Sequence, residues 1–404
     1  MIPRRFARSL CSVSVAVLAA CGDAGAKADA GTAKFDTLPG GIVRVTNRAM
    51  ADSGLWSLVL ERTVQPHDDS AGALRAPDDV LLLGDGTLLV ADEKPADVLR
   101  FNAAGQYVGS MGREGAGPGE YRSAWLASRG DTLVVQDPTQ ARAVMFSLAS
   151  GSPIGQRLTA PRYYAKIYVD GAGRAVTPMI AIPDSAAGPR TAYMRFSLSG
   201  AAVDTAFIPE HPRGGARWLV REGNKIKFEM LVPYQARDIH AVDPFGGFVT
   251  GWSGEFVLRA TKNGRDTTRL ISRPAIGGHV TAEEKNAIVE EAIAGVKGQA
   301  PEQVLRESLL ASAIPDKRPA FEQVQVDASG RIWTRRTETD TTKVSFDLFD
   351  KDGRWLDVVS VAATGWNKVW WQPVSFSRDH VAVLVDDADG RPAVLVYRIA
   401  RRGQ

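Results

Sequence analysis

The chain has only two cysteines among its 404 residues, and both of them, Cys11 and Cys21, lie close to the N-terminus. The body that follows can therefore form no disulfide bond, and it offers neither a thiol nucleophile nor a cysteine ligand for a metal. Its five histidines are scattered, with no pair at the spacing typical of a metal site. His-Glu-x-x-His and Gly-x-Ser-x-Gly motifs are missing too, so the sequence predicts no local catalytic motif of those kinds.

An excess of charge of one sign is also missing once the first twenty residues are set aside. Those residues hold three of the 49 basic side chains and none of the 46 acidic ones, which leaves 46 of each sign. A neutral body gives no general attraction for nucleic acid, so we predict no nucleic-acid partner. No stretch reaches the roughly 18 apolar residues that a membrane-spanning helix needs.

The N-terminus is typical of an export signal. Residues 1–8 carry Arg4, Arg5 and Arg8, and residues 9–20 are mostly small and apolar, which matches a signal peptide of about the usual length. The run ends Leu-Ala-Ala before Cys21, and this resembles the lipobox at which bacterial lipoproteins are cleaved and acylated. An ordinary cleaved signal with a chance cysteine is the alternative interpretation.

The lipobox resemblance implies that Cys21 is the lipidated residue. Acyl chains bind membranes through their buried methylenes, so we expect anchoring to a bacterial membrane. Gly22 follows the cysteine where an acidic residue could stand, which favours the outer membrane, facing the periplasm. Residues 21–38 are predicted to be a flexible tether, because the stretch after the cysteine is small and polar without an apolar period.

From about residue 78 the chain repeats one pattern, in which an alternating apolar stretch, a tight turn and a second alternating stretch follow one another. The steps from Gly86 to Gly130 to Gly173 are 44 and 43 residues. A second set of turns follows the first by roughly twenty residues. Units of four short strands at a period of 40–50 residues are the signature of propeller blades. We therefore predict an all-β fold, a six-bladed β-propeller occupying residues 39–404.

The sixth unit has too few strands to complete a blade. The N-terminal stretches Gly41–Thr46 and Trp56–Thr63 both alternate and both precede the first repeat. One of them is expected to supply the fourth strand and so close the ring, since closure removes exposed sheet edges.

The segment 112–121 reads Gly-Arg-Glu-Gly-Ala-Gly-Pro-Gly-Glu-Tyr. It resembles the inter-blade signature of NHL-repeat-like six-bladed propellers. This resemblance implies the fold and a tendency to bind ligands or proteins, but it implies no reaction.

Propeller geometry divides the connections between two faces. The short hairpins between the first and second and between the third and fourth strands of a blade share one face, and the longer connections share the other. The longest insertion, residues 277–319, lies between blades four and five and is predicted to be a helical hairpin. It opens with a capping box, Thr281 to Glu284. Either it covers the channel mouth, or it acts as a lid or docking element.

Aromatic residues fall at several of the longer connections. Aromatic faces beside polar groups suit sugars or peptides, so these side chains are candidate ligand-binding residues, with packing between blades as the alternative. They are Tyr121, Tyr163, Tyr164, Trp218, Tyr234, Trp366, Trp370 and Trp371.

Two functions remain open on this basis. The first is a binding module for an unknown protein, peptide or glycan, acting through the long-loop face, with no catalytic residue, cofactor or metal assigned. The second is a metal-dependent hydrolase or lyase whose ligands converge at the channel mouth from distant parts of the chain.

Overall fold

The computed structural model describes residues 33–48, 52–66, 70–159, 166–181, 190–198, 204–211, 216–274, 277–337, 340, 342–364, 366 and 373–403. The predicted signal peptide and Cys21 lie outside these residues.

The described chain begins with three strands that precede the first blade. They are β1 (Lys34–Leu38), β2 (Ile42–Thr46) and β3 (Trp56–Val64), with a short 3-10 turn (Pro39–Gly41) between the first two.

Six antiparallel sheets then follow in sequence and form the blades of a six-bladed propeller, which confirms the predicted fold class. Blades one to three contain β4 (Pro77–Leu82), β5 (Leu88–Glu93), β6 (Ala96–Phe101), β7 (Tyr107–Ser110), β8 (Arg113–Glu114) and β9 (Glu120–Tyr121) in the first link, β10 (Trp125–Arg129), β11 (Thr132–Asp137), β12 (Arg142–Ser147), β13 (Pro153–Leu158), β14 (Tyr168–Val169), β15 (Arg174–Ala181), β16 (Arg190–Ser197) and β17 (Asp204–Phe207).

Blades four to six are built in the same way. They contain β20 (Asp238–Val242), β21 (Phe248–Trp252), β22 (Val257–Thr261), β23 (Thr267–Ser272), β24 (Gln323–Val326), β25 (Ile332–Arg335), β26 (Lys343–Phe349), β27 (Trp355–Ala362), β28 (Val374–Phe376), β29 (His380–Asp386) and β30 (Pro392–Arg401), while the hairpin β18 (Arg217–Glu222) and β19 (Lys225–Leu231) precedes blade four.

The second strand of a blade is buried on both of its faces because neighbouring blades pack against both sides. In β5 and β11 the central residues are apolar at consecutive positions and nearly all fully buried. In each of these strands the side chains enter two different interblade cores, one on each side of the blade. Continuous apolar runs, rather than strict alternation, are therefore what these strands require.

The ring is closed by a strand from the N-terminus, as predicted. Strand β3 pairs antiparallel with β30, from Trp56 opposite Arg401 to Val64 opposite Val394. Blade six therefore consists of three C-terminal strands and one N-terminal strand, so the two ends of the described chain hold each other in place.

The other N-terminal candidate, Gly41–Thr46, has a different position. Strand β2 pairs parallel with β23 of blade four, and β1 pairs with β2, so that this sheet has six strands. The boundary predicted for the tether at residue 38 is therefore too late, because Lys34–Leu38 is a strand. The alternating exposure of Lys34–Leu38 is typical of a strand at a sheet edge. The sequence places these residues in the tether because the residues before them are small and polar.

The tight turns of the blades are capped by their own aspartates, as expected for aspartate in such turns. Asp170 Oδ1 accepts hydrogen bonds from the backbone N–H groups of Ala172 and Arg174, both at 2.9 Å. Asp327 caps its turn in the same way, at 2.8 and 3.0 Å. The glycines of these turns have positive φ angles, as at Gly173 (76°) and Gly330 (81°), a region that glycine enters without steric cost.

Two insertions combine into a small subdomain that we call the cap, defined as residues 216–234 and 277–319. It contains the hairpin β18–β19 and two helices, α1 (Ala282–Gly295) and α2 (Glu302–Ser308). The capping box is confirmed in part, since Thr281 Oγ1 accepts from the N–H of Glu284 at 3.1 Å. The cap has its own apolar core, which joins Trp218 and Val220 of the hairpin to Ile293 and Leu305 of the helices.

Candidate functional site

The long-loop face is the candidate functional surface. We use this term for the face that carries the connections between the second and third strands of each blade and the connections between blades. The cap lies on it, because both insertions connect one blade to the next. The opposite face, the short-turn face, carries the capped hairpins. Loops mounted on a rigid scaffold are the usual location of binding sites.

An ion pair joins two non-adjacent blades near this face. Lys166 of blade three places its Nζ 2.5 Å from Oδ1 of Asp79 in blade one, and the two side chains are 15% and 0% exposed. The other carboxylate oxygen, Oδ2, accepts from the N–H of Leu126 in blade two at 2.8 Å. One buried carboxylate thus joins the inner strands of three consecutive blades.

A second acidic residue stands beside this pair. The side chain of Asp78 hydrogen-bonds that of Glu93. Burial, followed by the hydrogen bond and charge of Glu93, raises the pKa of Asp78 to about 7. Blade one therefore presents a carboxyl group at the mouth that titrates near neutral pH.

Blades four and five, on the other side of the ring, contribute arginines. Arg237 Nη2 donates to the carbonyl of Glu322 at 3.0 Å, and burial lowers the pKa of Arg237. Arg335 lies 3.6 Å from the carboxylate of Glu322. The mouth is therefore acidic along blade one and rich in guanidinium groups along blades four and five.

A half-buried aromatic pair lies at the start of blade four. The imidazole of His211 is stacked on the indole of Trp252, with centroids 4.2 Å apart and planes at 13°. The N–H of His211 donates to Asp238 Oδ2 at 2.9 Å, and Asp238 pairs with Trp252 across β20 and β21. Gly254 lets the indole lie close to the chain, since a Cβ there would lie 2.4 Å from Trp252 Nε1.

The structure buries three of the aromatic residues proposed from the sequence as ligand contacts. Tyr121 is fully buried and its hydroxyl donates to the carbonyl of Met111. Trp218, 3% exposed, packs in the cap core, and Trp366, 5% exposed, packs against Phe346. These three rings therefore pack within the fold and do not lie open to a ligand.

The remaining candidates divide into two groups. Tyr234 is half-buried, with its ring 4.5 Å from the Arg318 guanidinium and its hydroxyl donating to Glu284 at 3.3 Å. Burial raises its pKa, and its backbone has a φ angle of 58°. The others, Tyr163, Tyr164, Trp370 and Trp371, lie outside the described residues.

Sequence reasoning missed the residues that the fold brings to the mouth. Asp78, Lys166 and Trp252 belong to three different blades and have no common spacing. Their positions within the repeats could have indicated them. Asp78 lies at the start of a first strand, Lys166 lies just before one, and Trp252 lies at the end of a second strand, and these positions are all at the long-loop face. His211 carried no signal at all, because its stacking partner is 41 positions away.

Within the described part of the chain, no three histidine, cysteine, aspartate or glutamate side chains converge in a way that could hold a metal ion. Among the helices described, none has the length and apolar character needed to cross a bilayer.

One comparison with known proteins bears on the architecture. A family described as a 6-bladed beta-propeller matches residues 74–167, which span blades one and two. No curated protein matches the chain.

Several solved structures match the chain at low identity. A protein from Bacteroides fragilis is 11% identical, with a TM-score of 0.46, and the match covers 89% of this chain and all of that one. A member of the duf4221 family from Bacteroides vulgatus is 12% identical, with a TM-score of 0.49, over 86% and 99% of the two chains. Regucalcin from Agrobacterium tumefaciens, a calcium-binding protein, is 10% identical, with a TM-score of 0.40, over 86% and 97%.

Proposed function

We propose that this protein is an exported, lipid-anchored binding module whose ligand site is the long-loop face of the propeller. The observation that carries the proposal is the cap. Two insertions separated by blade four pack into one core on this face, whereas the short-turn face holds tight hairpins. Structure added to one face of a rigid scaffold indicates that this face has a task beyond stability.

The channel mouth beneath the cap supports a polar ligand of the peptide or glycan class. The stacked His211–Trp252 pair is half-buried and offers an aromatic edge. Arginines 237 and 335 lie on the same side, and the Asp78–Glu93 pair lies across the mouth. Such a site suits a ligand with an apolar or sugar face and groups of both charges.

Export and anchoring are supported by the sequence of the N-terminus. The basic start, the short apolar run and Leu-Ala-Ala before Cys21 together favour acylation of that cysteine. Growth with a labelled fatty acid tests this directly. We expect label in the wild-type protein and none in Cys21→Ser, and a wild-type protein without label would refute the anchoring.

Ligand binding is tested by titrating the purified protein with two probes, N-acetylglucosamine oligomers and a pool of random hexapeptides. Calorimetry should show heat with one of them. Trp252→Ala should weaken this binding at least tenfold, the effect of losing roughly 1.4 kcal/mol. Trp56→Ala, on the outer edge of blade six, is the matched control and should bind normally. Equal losses in both variants, or no heat with either probe, would contradict the proposed site.

A further inference from the structure

The first described strand, β1, begins at the long-loop face of the propeller. Lys34 pairs with Thr46, and Thr46 pairs with Ser272. Ser272 ends β23, and the chain enters the cap a few residues later, at residue 277. Since neighbouring strands lie roughly 4.8 Å apart, Lys34 starts about 10 Å from the point where blade four leads into the cap.

The length of chain before this strand limits how far the body can stand from an anchor. Eleven residues lie between Cys21 and Ala33, so twelve Cα–Cα steps join them. Even fully extended they span at most roughly 40 Å, and a flexible chain of this length has a mean span of about 20 Å. An acyl group on Cys21 therefore keeps the cap side of the propeller near the bilayer. The short-turn face is at the opposite end of the blades and therefore lies further from the bilayer.

The cap carries one edge suited to a lipid surface. Residues 217–231 of the hairpin contain four basic and two acidic side chains. At its tip, Lys225, Ile226 and Lys227 are consecutive and all exposed, with Ile226 at 50%. The two helices, in contrast, contain six glutamates and two basic residues, so an anionic surface would repel them and attract the hairpin.

We infer that the tip of the cap hairpin, residues 221–227, is a membrane-contact element that binds the anionic phospholipid surface to which Cys21 is anchored. The lysines neutralise headgroup phosphates, and Ile226 enters the apolar boundary beneath them. The long-loop face is thereby directed toward the bilayer, so its ligand comes from the membrane or from the space next to it. This inference rests on the anchoring in the proposed function.

The test uses the full lipidated protein, reconstituted into vesicles. Because acylation occupies Cys21 and the body has no other cysteine, an introduced cysteine is the only free thiol. An environment-sensitive fluorophore is placed at Asn224→Cys on the tip or at Lys351→Cys on the short-turn face. Vesicles of phosphatidylethanolamine and phosphatidylglycerol carry a lipid-borne quencher. We expect quenching at position 224 and none at 351.

Charge reversal separates contact from mere proximity. Lys225→Glu combined with Lys227→Glu should lower the quenched fraction at position 224 by roughly half or more, and so should replacing phosphatidylglycerol with phosphatidylcholine. Lys262→Glu combined with Lys351→Glu, both exposed on the short-turn face, is the matched double reversal and should change nothing.

Each outcome leads to a different conclusion. If Cys21 carries no acyl group, the anchoring is wrong and the inference falls with it. If Cys21 is acylated but position 224 stays unquenched, the anchoring stands and the membrane contact is refuted, which would leave the tip as a docking site for a protein. Quenching that charge reversal does not change also overturns the proposed headgroup contact.

Discussion

Lys166 and Asp79 form the ion pair that ties blade three to blade one across the inner strand of blade two, at an Nζ–Oδ1 distance of 2.5 Å. Asp79 is fully buried, and the side chain of Lys166 is 15% exposed. Removing one partner of a buried pair leaves an uncompensated charge, which costs about 3–5 kcal/mol. We therefore expect Lys166→Met to lower the free energy of unfolding by about 3 kcal/mol, measured by urea denaturation.

The double variant shows whether the charge, rather than the lysine's packing, is responsible. Asp79→Asn combined with Lys166→Met leaves a neutral amide that still accepts from the N–H of Leu126. We expect it to be more stable than Lys166→Met alone by at least about 1 kcal/mol. A double variant as unstable as the sum of both single variants would show that the two residues act independently.

The acid pair of blade one predicts a pH dependence with a definite sign. Burial raises the pKa of Asp78 to about 7 in the folded protein from an ordinary value of 3.8. The folded state therefore holds a proton that the unfolded state has released, so this group's contribution to stability falls as the pH rises from about 4 to about 7. Asp78→Asn keeps the shape and cannot ionise.

We expect Asp78→Asn to gain stability relative to the wild-type protein between about pH 5 and about pH 8. A gain of about 1 kcal/mol is expected once solvent exposure is allowed for. Urea denaturation at several pH values measures it. In a Glu93→Gln background the gain should shrink, because Glu93 is part of the cause. A difference that stays constant with pH would contradict the raised pKa of Asp78.

The blades could be predicted from the sequence, because each repeat carries its own evidence. The turns at Gly86, Gly130 and Gly173 need positive φ angles, and glycine marks them at regular steps. The capping box at Thr281 and the break at Gly298 marked the helices in the same local way. The missing strand of blade six predicted closure by an N-terminal strand, with Gly41–Thr46 and Trp56–Thr63 as the two candidates. The structure shows that the second of them closes the ring.

The candidate site could not be predicted, because its contacts join distant parts of the chain. Lys166 meets a residue 87 positions earlier, and Tyr234 meets Glu284 and Arg318 of a separate insertion. Aromatic residues in loops looked available for binding, yet Trp218 is buried because the hairpin folds onto the helices. Burial of this kind depends on tertiary packing, which a local pattern does not encode.

The metal-dependent alternative is tested by elemental analysis of the purified protein before and after chelation. If the protein is a binding module, we expect less than one equivalent of any divalent metal. Chelation should then leave the midpoint of thermal unfolding unchanged. A ligand bound only by the folded state raises stability by mass action. A stoichiometric metal whose removal lowers the midpoint would therefore favour the hydrolase or lyase, and lactones and esters would be tried as substrates next.

The side chain of Asn47 joins the N-terminal segment to blades four and five through hydrogen bonds. It is 4% exposed; its Nδ2 donates to the carbonyls of Ser272 in blade four and Gly353 in blade five, at 3.1 and 3.0 Å. Its Oδ1 accepts from the N–H of Trp355 at 2.8 Å. Asn47→Ala removes all three hydrogen bonds and leaves a buried N–H without its acceptor, so we expect a loss of about 2–3 kcal/mol.

Urea denaturation measures this loss, with Asn224→Ala on the exposed hairpin tip as a control that should change stability by less than about 0.5 kcal/mol. Asn47→Asp refines the test. It keeps the acceptor for Trp355 but places a carboxylate against the carbonyls of Ser272 and Gly353, so it should destabilise at least as much as alanine. If aspartate restores stability, the hydrogen bonds that Asn47 Nδ2 donates are unimportant. The stabilisation would then come from the one hydrogen bond that Oδ1 accepts from Trp355 in blade five.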